Sequence, residues 1–487
     1  MSIVAIDQGT TSTRALRVDR DGRVEAIASR ELRQHYPRPG WVEHDPEDIW
    51  HDTVAVLREV IDDDVDAIGI TNQRETILLW DRATGTPLHR AIVWQDRRTA
   101  DYCERLVADG LEPIIRAKTG LVVDAYFSGT KLRWLLESIP GARARAERGE
   151  LAAGTVDSFL LWRLTGGRVH ATDATNAART LLYDIETHRW DEELLALFDI
   201  PAALLPDVHD NAHLFGYTQP TLFGRALPIG GMAGDQHAAM IGQGCFAPGM
   251  VKSTYGTGCF LLAHVGERPL FSTHRLLTTP AYRLAGETAY ALEGSIFAAG
   301  SAVKWLRDGL GLLDDVQRSA EMAAPLPYDH GVRFVPAFSG LGAPYWRPEA
   351  QGTIIGVGPG TGPAHLVRAA LEAAAFQTAD LIDTITADTG LRPNLLRIDG
   401  GMARNDWLAQ FLADLLEVPI ERPGNHEATA MGAAYLAGLC TGLWAGPADL
   451  PINRARDGSR FDPHALPLRD MLRAGWTAAV AAAAASV

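Results

Sequence analysis

Twice in this chain an apolar run meets a glycine turn and doubles straight back into a second apolar run. The first is SIVAID-QGTTST-RALRV, with Asp7 ending the run; the second is MVKST-YGTG-CFLLAHV, near residues 250–265. Short apolar runs on both sides of a tight turn read as paired strands rather than as strand and helix. That constrains how the chain can hold phosphate. A P-loop requires GxxxxGK[ST], and the chain has no Gly-Lys dipeptide. No GxGxxG follows a strand pattern either, so a dinucleotide fingerprint is not supported. Glycine turns between strands instead offer backbone N–H groups and Ser or Thr hydroxyls as an anion-binding concavity that needs no helix. Two such turns, one in each half, can grip phosphates from opposite sides of a cleft.

The surrounding patterns place these turns in α/β units. RALRVDRDGRVEAIA continues the first turn as a meander around a D-G turn. PEDIWHDTVAVLREVI has apolar residues three and four apart, with Pro46 near its first turn, and reads as an amphipathic helix. VDAIGITNQ and TILLWD read as strands, and YFSGTKLRWLLES as a loop entering a helix. AHLVRAALEAAAFQTADLIDTITADTG reads as a long helix stopped at Gly390, and LLRIDGGMARNDWLAQFLADLL as strand, glycine turn and helix. RID-GGM near residue 400 echoes AID-QGT near the start, which suggests two related α/β domains. The 487 residues exceed what one hydrophobic core supports. The boundary is expected at GCFAPGM, giving domains 1–247 and 248–487.

Charge and apolar content exclude some partners. A net charge of −15 argues against a nucleic-acid-binding surface. MSIVAIDQGT lacks the basic segment of a signal peptide, and the AAVAAAAA tract near the end is too short to span a bilayer. The four cysteines form no CxxC pair, so neither a zinc site nor a disulfide framework is indicated. A soluble cytoplasmic protein is expected, with no nucleic acid and no membrane span.

Two polar groups stand out. In PIGGMAGDQHAAM, Asp235 and Gln236 sit among small residues that leave room for a ligand. Asp235 suits a base accepting a proton from a hydroxyl, and it equally suits the cap of a helix beginning at HAAM. In ITNQRET, Arg74 and Glu75 end an apolar strand. Adjacent strand residues point to opposite faces, so both reach one small ligand only if the strand has ended and turned.

DQGTTSTR, PGWVEHDPEDIW, ITNQRET, AIVWQDRRTA, YFSGTKLRW, GTVDSFLLW, GDQHAA, TYGTGCFLL, PAFSGLGAPYW and DGGMARNDW follow one another in this order. Together they resemble the FGGY carbohydrate kinases, from residue 3 to about 480. NQRET and WVEHDP are similar to the members of that family that act on glycerol. The resemblance implies two actin-like, ribonuclease H-like ATPase domains with an interdomain cleft, and ATP-dependent phosphorylation of glycerol with Mg²⁺. It makes Asp235 the general base and Arg74, Glu75, Tyr126 and Gln236 the contacts to the triol's hydroxyls. Trp94 and Phe260 become aromatic walls against its carbons. It sets Asp7 beside Mg²⁺ and the transferring phosphate, with Asp235 as the second carboxylate near the metal. Thr10, Thr11, Ser12 and Arg14 then line the phosphates, Arg14 neutralising developing charge. Thr257 and Gly258 form the opposing turn, and Gly300, Lys304, Gly401 and Asn405 match nucleotide contacts. Lys304 departs from the family's Gln. A homodimer or homotetramer is implied. The stretch QPTLFGRALPIGG keeps only Arg225 of a basic effector loop and has no His at 221–223, so neither the sugar-bisphosphate nor the phosphohistidine control of some relatives is expected. Two rivals remain: a kinase for another polyol or ketose, and a non-catalytic nucleotide sensor on the same fold.

Overall fold

The computed structural model describes residues 1–485 except 348, 425–426 and 454–457. Two sheets organise it. Numbering the strands of these sheets in chain order, the first holds β1 (Ser2–Gln8), β2 (Ser12–Asp19), β3 (Val24–Glu31), β4 (Val65–Asn72), β5 (Ala212–Tyr217) and β6 (Pro228–Gly234), in the order β5-β6-β4-β1-β2-β3. The second holds β7 (Met250–Tyr255), β8 (Cys259–Gly266), β9 (Leu277–Leu284), β10 (Glu287–Ile296), β11 (Leu395–Asp399), β12 (Ile420–Arg422) and β13 (Ser459–Phe461), in the order β9-β10-β8-β7-β11-β12-β13.

The halves repeat one plan. β1 pairs antiparallel with β2 and parallel with β4; β7 pairs antiparallel with β8 and parallel with β11. The counterpart of β1 is therefore β7. The echo between AID-QGT and RID-GGM joins β1 to β11, which hold different places in the plan. The two strands look alike because each is parallel to a central neighbour and runs from apolar interior to a polar residue and glycine at its carboxyl end.

β1 is buried along its whole length. Its alternate side chains serve two cores, as the pleat dictates. Val4 and Ile6 pack with Ile49, Val56 and Leu57 of helix α1 (Pro46–Val60), while Ile3 and Ala5 pack with Ala430, Ala433 and Ala434. Helices on both faces explain why SIVAI reads as a continuous apolar run rather than an alternating one. Asp45 caps α1, accepting from the Glu47 N–H at 2.9 Å, with Pro46 at the first helical position.

Two further helices tie the halves together. α2 (Asp235–Gly242) leaves the first sheet, and α3 (Ala428–Thr441), from the second half of the chain, packs on β1, β4 and β6. They cross antiparallel with almost no side chain between them. A Cβ on Gly242 would lie 1.9 Å from the Ala428 carbonyl oxygen, and one on Gly432 would lie 1.8 Å from that of Ala238. Earlier than α3 in the chain, a long helix, Pro363–Thr389, ends on left-handed Gly390. No described helix is long and apolar enough to cross a membrane.

Candidate active site

β4 ends at Asn72, and the chain then turns. Glu75 adopts a left-handed backbone conformation, φ 61°, and the Thr76 N–H donates to the Arg74 carbonyl at 2.7 Å. Such backbone in a non-glycine residue costs energy and clusters at functional positions. It lets two neighbouring side chains share one site. Both are fully buried.

Around them lies a quartet of charges. The Arg74 guanidinium forms a fork on Glu293 of β10, at 2.6 and 3.0 Å. Arg179 donates to Glu75 at 2.5 Å and to Glu293 at 3.1 Å. Two cations thus meet two carboxylates, all within the interior. Burial alone would raise the Glu293 carboxyl; Arg179 and Arg74 outweigh it and hold the group well below the usual carboxylate range. For Glu75 burial wins, and the group is shifted upward despite Arg179 and Arg74.

Asp235 joins from the other side. Gly234 caps α2 and Asp235 occupies the first helical position, its Oδ1 accepting from the Gln236 N–H at 2.7 Å. The same oxygen lies 3.3 Å from Arg74 Nε, and the side chain remains 30% exposed. Gln236 turns its amide oxygen to the buried ammonium of Lys252, which also donates to Thr254 Oγ1 at 3.1 Å. Three aromatic rings close the space: Trp94 stands edge-on to Tyr126 at 5.7 Å and to Phe260 at 6.2 Å, and Arg74 lies 6.0 Å over Phe260. Among the described residues the Tyr126 hydroxyl has no hydrogen-bond partner, so it is available to a ligand.

The first glycine turn adjoins this pocket. The Trp94 indole N–H donates to Thr10 Oγ1 at 2.9 Å, and the Gly9 N–H closes the turn on the Ser12 carbonyl at 2.9 Å. Thr11 is exposed, and Thr10 and Ser12 are half-buried. Arg14, from β2, donates to Asp7 at 3.0 Å and to Glu427 at 2.8 Å, so one guanidinium links the two halves. Burial pushes the Asp7 carboxyl up to about 6 against the pull of Arg14, and Asp235 and Glu427 add to the rise.

The opposing turn is built from backbone. The Gly300 N–H donates to the Gly256 carbonyl, and the Ala299 and Ser301 N–H groups to that of Thr257, so this turn holds the start of the helix Gly300–Asp308. Gly258 is demanded by packing: a Cβ there would meet the Ile296 carbonyl oxygen at 2.5 Å. Gly401 is different, because a Cβ there would meet nothing within 4 Å. Lys304 is exposed on the Gly300–Asp308 helix. Asn405 caps the helix Asp406–Leu416, accepting from the Leu408 N–H at 2.9 Å and donating to Ser319 Oγ at 3.0 Å. Its side chain is therefore engaged within the protein. Arg225, the remnant of the effector loop, donates to the main-chain carbonyls of Asp62 and Val65.

The structure thus gathers Arg74, Glu75, Tyr126, Trp94, Phe260, Asp235 and Gln236 at one place, with Asp7, Arg14 and Thr10 beside them. Four contributors escaped the sequence reading: Arg179, Lys252, Glu293 and Glu427. Arg179, Glu293 and Glu427 lie more than a hundred residues from their partners, and nothing local in ATNAART, MVKST, YALEG or HEATA marks any of the four.

Residues 2–242 match the N-terminal domain model of the FGGY family of carbohydrate kinases, and residues 251–440 match its C-terminal domain model. The chain belongs to the FGGY family of carbohydrate kinases. This FGGY kinase is 58% identical over 486 residues to a glycerol kinase of Rhodospirillum centenum, covering 98% of this chain and 97% of that one. A glycerol kinase of Gluconobacter oxydans is 59% identical over 447 residues, 91% of this chain and 87% of the relative. Among solved structures, Plasmodium falciparum glycerol kinase with ADP superposes with a TM-score of 0.93 at 37% identity, covering 100% of this chain and 99% of that one. A xylulose kinase of Lactobacillus acidophilus, at 22% identity and TM-score 0.90, shares the two-domain fold.

Proposed function

We propose that this FGGY kinase transfers the γ-phosphoryl group of ATP to a terminal hydroxyl of glycerol, giving sn-glycerol 3-phosphate. One observation carries the reading: a partly exposed carboxylate, Asp235, is held by a fully buried arginine that also forks onto Glu293, inside a three-ring aromatic box. The names of relatives at 54–59% identity favour glycerol as the acceptor.

The chemistry follows from the geometry. A small triol has little carbon surface, so selectivity rests on hydrogen bonds, and an analogue lacking a hydroxyl leaves a buried charge unpaired. Arg74, Glu75, Tyr126 and Gln236 supply those bonds, and Trp94 and Phe260 cover the carbons. Asp235 uses Oδ1 on Arg74 and on the Gln236 N–H; Oδ2, without a partner among the described residues, accepts the hydroxyl proton. Arg14 and the N–H groups of both glycine turns hold the phosphates in line with that hydroxyl. Positioning and charge stabilisation supply most of the rate in such transfers. The Asp235 charge adds to the upward shift of Asp7, and two nearby carboxylates of this kind fit a divalent cation. Mg²⁺, when bound there, neutralises phosphate charge. Thr257, Gly258, Gly300, Gly401 and Asn405 form the nucleotide side, with Lys304 at its exposed edge. We further propose that the domains divide at 247/248 and that the protein is a cytoplasmic homodimer or homotetramer, which light scattering tests.

Coupled ADP release with glycerol as sole acceptor tests the function, beside a panel of tetritols, pentitols and pentuloses. Glycerol is expected to give the highest kcat/KM. A preferred pentulose or tetritol would redirect the specificity, and ATP binding without acceptor-dependent ADP release would make the chain a sensor.

A further inference from the structure

Behind the acceptor pocket runs a buried polar network centred on Asp173. Its Oδ2 accepts from the Thr175 N–H at 2.6 Å, from the Thr175 hydroxyl, and from the Asn211 amide at 2.7 Å; its Oδ1 accepts from the Asn176 amide at 2.7 Å. Asp173, Thr175, Asn176, Asn211 and Asn72 are all fully buried. The direction of these bonds matters. The Thr175 hydroxyl donates to Asp173, whose other partners are N–H donors, and keeps its lone pairs for other donors. The shorter of the two donors it meets is the Gly234 N–H, at 3.0 Å, the other being the Asn211 amide at 3.5 Å. Gly234 is the residue before Asp235, and it packs directly on Arg74: a Cβ there would meet Arg74 Cδ and Cγ at 2.7 Å. A second arm runs through Asn176, which exchanges amide hydrogen bonds with Asn72 at 3.0 and 3.1 Å, two residues before Arg74. The same segment ends in Arg179, the partner of Glu75 and Glu293.

We propose that Thr175, oriented by Asp173, is a positioning residue that fixes the Gly234 peptide and through it the carboxylate of Asp235. The inference rests on the proposed role of Asp235 as base. Thr175 touches no ligand; it sets where the proton acceptor stands. A fully satisfied buried network of this kind holds its members to one arrangement, and small misplacement of a reacting group is expensive in rate.

The test compares wild type with Thr175→Val, which keeps the shape and loses the acceptor, and Thr175→Ser, which restores it. Thr175→Val is expected to lower kcat roughly ten- to a hundred-fold while the KM for ATP stays within about two-fold. Thr175→Ser is expected to recover most of the rate. If Thr175→Val does not fold, as judged by circular dichroism, Thr175→Ala replaces it with the same expectation. Wild-type kcat in the valine variant, equal losses in valine and serine variants, or a kcat loss matched by the rise in KM for ATP would each overturn the inference. Failure of the functional reading is separate: it shows as absent or different acceptor use by wild type, and the comparison is then made with whichever acceptor the panel selects.

Discussion

The acceptor pocket and the phosphate turns are made of opposite materials. The pocket is side chains: a cross-lobe quartet of two arginines and two glutamates, shut away from water, with three aromatic rings in front. The turns are main chain: Gly256, Thr257 and Gly401 are exposed, and the bonds that shape the second turn run from backbone to backbone. The difference follows from the ligands. Phosphates are alike in every nucleotide and are held by N–H groups that any small residue presents. A three-carbon alcohol must be told from four- and five-carbon ones, and only fixed, costly-to-strand side-chain charges do that.

If this contrast is right, substitutions in the two regions fail differently. The largest effect is expected at Asp235. Asp235→Asn should cut kcat by roughly 10²–10⁴-fold with ATP affinity nearly intact, read by steady-state kinetics and nucleotide titration. A wild-type rate would remove the base from the scheme. Next comes the quartet. Glu293→Gln leaves Arg74 and Arg179 short of charge and should cost about 3–5 kcal/mol of stability at pH 7. The pH dependence has a definite sign. A carboxyl held below its ordinary value stabilises the fold above that value, 4.5, and loses the contribution as pH falls. The gap between wild type and variant in denaturant melts should therefore narrow below about pH 4.5; a constant gap would mean packing rather than charge. The smallest effects belong to the turns. Gly258→Ala forces a methyl onto the Ile296 carbonyl and should cost about 1–3 kcal/mol in a thermal melt without nucleotide. Gly401→Ala meets open space and should leave the melt unchanged while raising the KM for ATP several-fold. Equal behaviour of the two alanine variants would erase the distinction between a structural and a ligand-facing glycine.

Much of the fold was legible because it is locally written. The buried run SIVAI, the amphipathic helix opening at Pro46, the D-G turn at Asp21-Gly22 and the stop at Gly390 follow from periodicity and backbone preference. Arg74 and Glu75 were legible as a pair, with the condition that the strand turn, and the left-handed Glu75 meets it. The partners that make the pocket work were not legible. Glu293 lies 219 residues from Arg74 and Arg179 lies 104 from Glu75; no spacing rule spans such distances. The echo at residue 400 suggested two related domains, which the repeated plan bears out, although it joins strands at different places in the plan that share the same end pattern. Asn405 carries a further engagement that its local pattern did not reveal, the cap of the helix Asp406–Leu416.

The glycine crossing of α2 and α3 has a last implication. Where two rods touch main chain to main chain at Gly242 and Gly432, few interlocking knobs oppose a small swivel, Ile241 and Met431 packing beside the crossing. The junction can act as a smooth bearing between the lobes. It also sets a narrow evolutionary tolerance, because the bulk of one added methyl at 242 or 432 would pry the bearing apart.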